Sequence, residues 1–207
     1  HFASGELRRT DKGVLIEGAR TNLCLQSQTF DNASWSKYEA TVTANAASAP
    51  DGTLTADKII AALASATLPN VNQSPTLTDS TDYTGSVYAK AGEWSWCFIV
   101  MRSKDSATET AAYFDLSNGV VGTAGSGITA TITAMGNGWY RCSAKKNAGT
   151  GATAPRFRMG GTTADNTIAP TGDGASGIYV WGAQLEAASF PSSYIPTTTA
   201  SATRAAD

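Results

Sequence analysis

The stretch Asp82-Tyr83-Thr84-Gly85-Ser86-Val87-Tyr88-Ala89-Lys90-Ala91-Gly92-Glu93-Trp94-Ser95-Trp96-Cys97-Phe98-Ile99-Val100-Met101-Arg102 decides the fold. In its first half Tyr83, Gly85, Val87 and Ala89 alternate with Thr84, Ser86, Tyr88 and Lys90, the period of two that marks a half-buried β-strand. Gly92-Glu93 turns the chain. Trp94–Arg102 then runs apolar on both faces, which predicts a central strand covered on both sides.

Working outward, Ala111–Leu116 is the next strand, followed by the Asn118-Gly119 hairpin signature. Ile128–Met135 alternates, and Gly136-Asn137-Gly138 turns it into Trp139–Lys145. Arg156–Met159 is short, and Gly177–Glu186 is the last strong strand. Upstream, Val14-Leu15-Ile16 begins the ordered part, and Asn22–Gln26 reads as a short strand. Phe30 and Trp35 anchor a loop, and Pro50-Asp51-Gly52 is a turn. Ala56–Ala62 is a strand, and Val71–Leu77 a weaker one that Pro75 assigns to a sheet edge or bulge. Over residues 106–112 the β-branched Thr108 and Thr110 weigh against a helical turn. About ten short strands punctuated by turns predict an all-β fold, an antiparallel jelly-roll β-sandwich. Its expected core includes Tyr83, Val87, Phe98, Val100, Tyr140, Ile178 and Val180. Residues 1–13 are expected to form a linker or docking arm, 14–190 the sandwich, and 191–207 an extended tail shaped by Pro191 and Pro196.

The 207 residues fit one domain. Charged residues make up 15% of them, against about 25% in a typical soluble domain. With a net charge of −2 and scattered basic residues, nothing marks a nucleic-acid or anionic-membrane surface. No apolar run is long enough to span a bilayer, and no signal-peptide pattern opens the chain. Because it opens on His1 rather than Met, it is expected to be a piece of a longer protein. Cys24, Cys97 and Cys142 match no zinc or redox spacing. Their odd number and strand settings predict three unbridged, buried thiols.

The single histidine, His1, stands at the terminus, which removes Ser-His-Asp and Cys-His catalysis and His-based metal sites. No phosphate-binding glycine loop is present. Asp115 and Glu186 are the acids a glycosidase pair would need if they met, but turn and cap chemistry is the preferred reading. Aromatic residues carry the functional case, because sugars stack their C–H faces on flat rings while a few polar groups fix orientation. Tyr88 and Lys90 share the polar side of their strand, and Arg141 alternates out of the Tyr140–Cys142 row. These three form the expected glycan platform, weighed against a solvated face or a subunit contact.

Several blocks resemble segments recurrent in phage tail and fibre proteins. They are Gly13–Leu23, Asp82–Gly92, Gly136–Ser143, Gly177–Glu186, Ser193–Thr197 and Thr203-Arg204. More distantly, Asn22-Leu23, Phe30-Asp31 and Trp35 follow the block order of carbohydrate-binding modules with a galactose-binding-like jelly-roll fold. The resemblance implies a virion-surface module, assembled in the bacterial cytoplasm, whose partners are host-surface carbohydrate and other virion proteins. It also implies trimeric packing of the kind common in phage fibres. Two alternatives stand beside it: a purely structural virion module, and an accessory carbohydrate-binding module of a polysaccharide-degrading enzyme. All three are non-catalytic and need no cofactor. The carbohydrate-binding modules often carry an acidic pair in their last strand as part of a structural calcium site; Trp181-Gly182 holds that place here.

Overall fold

The computed structural model describes residues 8–10, 13–63, 67–105, 109–167 and 171–207. The expected linker over 1–13 and the segment 106–112 therefore lie partly outside the described residues. The strands are β1 (Arg8–Thr10), β2 (Gly13–Leu15), β3 (Arg20–Asn22), β4 (Ser36–Tyr38), β5 (Ala40–Ala47), β6 (Ala56–Ala61), β7 (Asn70–Gln73) and β8 (Asp82–Ala91). They continue with β9 (Trp96–Arg102), β10 (Thr110–Asp115), β11 (Val120–Ala124), β12 (Thr129–Gly136), β13 (Trp139–Asn147), β14 (Arg156–Thr162), β15 (Gly177–Glu186) and β16 (Ala202–Arg204).

Two six-stranded sheets stack into a sandwich. One has the order β12-β13-β8-β15-β6-β5 and the other β11-β10-β9-β14-β7-β4. Every pairing within them is antiparallel. The chain crosses between sheets from β6 to β7, to β8 and to β9, and again from β13 to β14 to β15. The inner quartets β6-β15-β8-β13 and β7-β14-β9-β10 are those of a jelly roll, as the sequence predicts.

The alternation of β8 places Tyr83, Val87 and Ala89 between the sheets, facing Cys97, Ile99 and Met101 of β9 and Phe157 and Met159 of β14. A Cβ at Gly85 would collide with the Phe157 ring, so the bare glycine lets that ring lie against β8. Ile178 and Val180 of β15 join this core, and Tyr140 packs partly buried against it. Phe98 and Val100 correct the expectation. Both are buried, but with Tyr113 they form a separate cluster on the opposite face of β9. The reading of β9 as covered on both sides is thereby met, with Leu68 and Trp96 packed over the outer cluster.

Other differences have local causes. The predicted strand Asn22–Gln26 ends at Asn22, whose Oδ1 accepts the Cys24 amide and turns the chain, and Gln26 beyond it takes a positive φ of 50°. Pro75 lies beyond β7, which is an interior strand between β14 and β4. Residues 191–207, expected as an extended tail, return along the sandwich. β16 pairs with β3, matching Ala202 to Asn22 and Arg204 to Arg20, and Ser192, Ile195 and Thr197 are buried. All three cysteines are free and buried.

Candidate functional site

Register brings Tyr88, Lys90 and Arg141 together on the outer face of the β8 sheet. Tyr88 stands opposite Arg141, and Lys90 opposite Trp139. The Arg141 guanidinium lies 5.3 Å from the centre of the Tyr88 ring and donates from Nη2 to Ser86 Oγ at 3.1 Å. Tyr88, however, is only 7% exposed, which corrects the expectation that its ring stands free on a polar face. It packs against Trp181 and Tyr194 at centroid distances of 5.2 and 6.1 Å. Ala49, Ala56 and Trp139 complete the cluster. Trp139 Nε1 donates to the Ser48 carbonyl and Trp181 Nε1 to Thr55 Oγ1, so the β5–β6 connection seals one side. The returning tail supplies Tyr194 on the other. Burial raises the Tyr88 hydroxyl's pKa above its ordinary value against the pull of Arg141. A ring enclosed this way cannot offer a flat face to a sugar.

The open polar surface lies on the other sheet. There β4, β7 and β14 run side by side. Ser36 pairs with Asn72 and Tyr38 with Asn70 on one side of β7; Arg158 pairs with Asn72 and Gly160 with Asn70 on the other. Alternation sends Val71, Phe157 and Met159 inward. The intervening positions Asn70, Asn72, Arg156 and Arg158 stand on the outer face. With Ser36, Lys37 and Tyr38 they line a cleft of about 530 Å³. Tyr38 is 53% exposed at its edge. Gly160 lets the Pro69 carbonyl lie close over β14: a Cβ there would collide with it and crowd Phe98.

Polar groups in the cleft are held in place. Asn72 Nδ2 donates to the Ser36 carbonyl at 3.1 Å and to Asn70 Oδ1 at 3.2 Å, while Asn70 Nδ2 donates to the Leu68 carbonyl at 2.8 Å. Glu109 takes Arg156 Nη1 at 3.2 Å and Arg158 Nη2 at 2.7 Å. Lys37 Nζ donates to the carbonyls of Asp31 and Asn32. Burial lowers the Arg158 pKa from its ordinary value; Glu109 opposes this, and neighbouring Arg156 and Arg102 reinforce it. The sequence signal for this site was the pair of patterns Asn70-Val71-Asn72 and Arg156-Phe157-Arg158. Each puts two polar side chains on one face of a short strand. Reading by hydrophobic alternation passes over such rows because they are too short to stand out.

Asp115 and Glu186 are not a catalytic pair. Asp115 pairs with Trp96 at the start of β9, whereas Glu186 pairs with Thr84 near the start of β8. β8 runs directly toward β9, so the two acids sit at opposite ends of the sandwich. Asp115 caps a turn, accepting from the backbone of Ser117 and Asn118. Glu186 accepts from Ser192 N and Oγ and from Gln184 Nε2. The place that corresponds to the calcium-site acids of the carbohydrate-binding modules the sequence resembles holds Trp181 and Gly182, the latter in a bulge against Tyr88 and Tyr194. Among the described residues no group of three His, Cys, Asp or Glu could hold a metal ion.

No protein-family model matches the sequence, and no curated protein matches it. Among solved structures, the chain is similar to the CBM22-1–GH10 modules of the Clostridium thermocellum N-terminal endo-1,4-β-D-xylanase 10B complexed with xylohexaose. The identity is 18% and the TM-score 0.46, over 87% of this chain and 30% of that one. The chain thus spans less than a third of that chain's length. Its jelly-roll class rests on the strand order described above.

Proposed function

We propose that this domain is a non-catalytic carbohydrate-binding module whose ligand lies in the cleft over β4, β7 and β14. The observation that carries the reading is the half-exposed Tyr38 ring beside a fixed row of amides and guanidiniums, Asn70, Asn72, Arg156 and Arg158. A flat ring for a sugar's apolar face and fixed polar groups that exchange hydrogen bonds with its hydroxyls are what a saccharide site needs. Because these groups are already held by the sheet, little ordering cost attends binding.

The blocks that resemble phage tail and fibre proteins support a place on a virion surface, facing host polysaccharide. They map to β8, the β12–β13 hairpin, β15 and the returning tail, which build the scaffold. The cleft residues lie outside them, so the ligand is set by segments the resemblance does not cover.

The test is a glycan array probed with the wild-type domain and with Tyr38→Ala. Binding should appear in the wild type and fall about tenfold or more in the variant, at unchanged melting temperature. Undiminished binding by Tyr38→Ala places the site elsewhere, and a wild type that binds no glycan rejects the reading.

A further inference from the structure

Resting on that reading, we infer that the cleft selects acidic polysaccharides, chains whose sugars carry carboxylate or phosphate groups. The guanidiniums of Arg102 and Arg156 both bear on that of Arg158, and among the described residues the carboxylate that binds Arg156 and Arg158 is Glu109. The surplus is positive, on a chain whose net charge is −2. Glu109 spends one oxygen on each of Arg156 and Arg158. Among the described residues the Nε atoms of both arginines find no acceptor. Arg102 directs its own Nε to the Ala154 carbonyl, and Lys37 is occupied by backbone carbonyls.

The fold itself gains little from this arrangement. Partly exposed ion pairs add little stability, and gathering like charges around one carboxylate works against it. An anion seated between Arg156 and Arg158 offsets that repulsion. It would also use the planar fork through which guanidinium recognises carboxylate and phosphate. Tyr38 stands at the cleft edge, two strands away from β14. A sugar ring can stack there while its acidic substituent reaches the arginines, so the ligand is a charged saccharide rather than a free anion.

The experiment is an array of bacterial polysaccharides in acidic and neutral sets, followed by solution titration of each polymer bound. Carboxyl reduction of a bound polymer, or its dephosphorylation, shows which substituent is read. The expected result is binding confined to acidic members and lost on removing the substituent. Affinity should also fall about tenfold or more in Arg156→Gln and weaken as salt rises. Arg156 is the more exposed of the two arginines, and an unchanged melting temperature confirms that the variant is folded. Dextran sulfate serves as the plain polyanion. If it binds as tightly as the best polysaccharide and ignores Tyr38→Ala, the cleft is a generic anionic patch and the inference fails. Binding to neutral polymers alone, or binding indifferent to Arg156→Gln, overturns the inference and leaves the carbohydrate function standing. A wild type that binds nothing overturns both.

Discussion

Tyr88 shows what a single residue's sequence context can and cannot say. Its alternation with Val87 and Ala89 placed it correctly on the outer face of β8. What covers that face comes from far along the chain, from Ser48 to Thr55 and from Tyr194, and no local pattern announces such cover. The physical consequence is a buried ring whose removal leaves a cavity beside Trp181. Tyr88→Ala should therefore cost about 3 kcal/mol or more of unfolding free energy, read from the urea midpoint at unchanged slope. Tyr38→Ala, on a ring half in water, should shift that midpoint by less than about 0.5 kcal/mol.

Among elements, the long strands were legible and the short ones were not. β8, β9 and β15 carry seven to ten residues each, enough for a period to show. β4 and β16 have three each, exposed β11 lacks an apolar row that would identify it, and the row in β5 consists of small residues, Ala40, Val42 and Ala44, which mark a buried face weakly. The candidate site fell into this gap, because β7 owes its place to register with β14, and β4 to register with β7, rather than to their own composition.

The β3–β16 pair was missed for the same reason, yet it is firmly held. Buried Asn22 donates from Nδ2 to the carbonyls of Ala183 and Ile195, and its Oδ1 accepts from the amides of Cys24 and Leu185. One side chain thus satisfies groups on β15, on the tail and on its own turn. Asn22→Ala would orphan these groups in a dry setting and should cost about 3–5 kcal/mol. Hydrogen exchange should show protection lost first in residues 192–204, before the inner quartets open.

The whole molecule's response to acid follows from its carboxylates. Hydrogen bonds from Asn147 and Lys145 hold the Asp82 pKa below its ordinary value, and the bond from Lys58 does the same for Glu93. A depressed pKa contributes stability that is present above the unfolded value and lost as pH falls through the folded one. The share of the melting temperature that these two carboxylates supply should therefore hold steady from neutral pH to about 5 and decline below about 4. Asp82→Asn should flatten part of that decline.

Asp57 has the opposite sign. Burial raises its pKa although the amides of Asn45 and Phe30 bond to it. Its contribution is largest when it is protonated, and it diminishes as pH rises through the raised value. Asp57→Asn should remove that slope just above the ordinary carboxylate range. It should also lower stability at neutral pH, since one amide N–H would then face an NH₂ group. Both effects can be read from melting curves taken across pH.

The pairing of Arg20 with Arg204 and of Asn22 with Ala202 also sets how the domain would bear mechanical load. The chain runs into this ladder at Arg20 and out of it at Arg204, side by side and in opposite directions, with Glu17 and Asp207 bonded to each other just beyond it. Where further polypeptide pulls on both ends, the force falls on this short ladder from its open end. It would peel the rungs apart one after another instead of shearing them all at once. The tail and its anchors at Asn22 and Glu186 would give way first and lengthen the tether, while the cleft over β4, β7 and β14, outside the line of force, keeps its shape and its hold on a ligand.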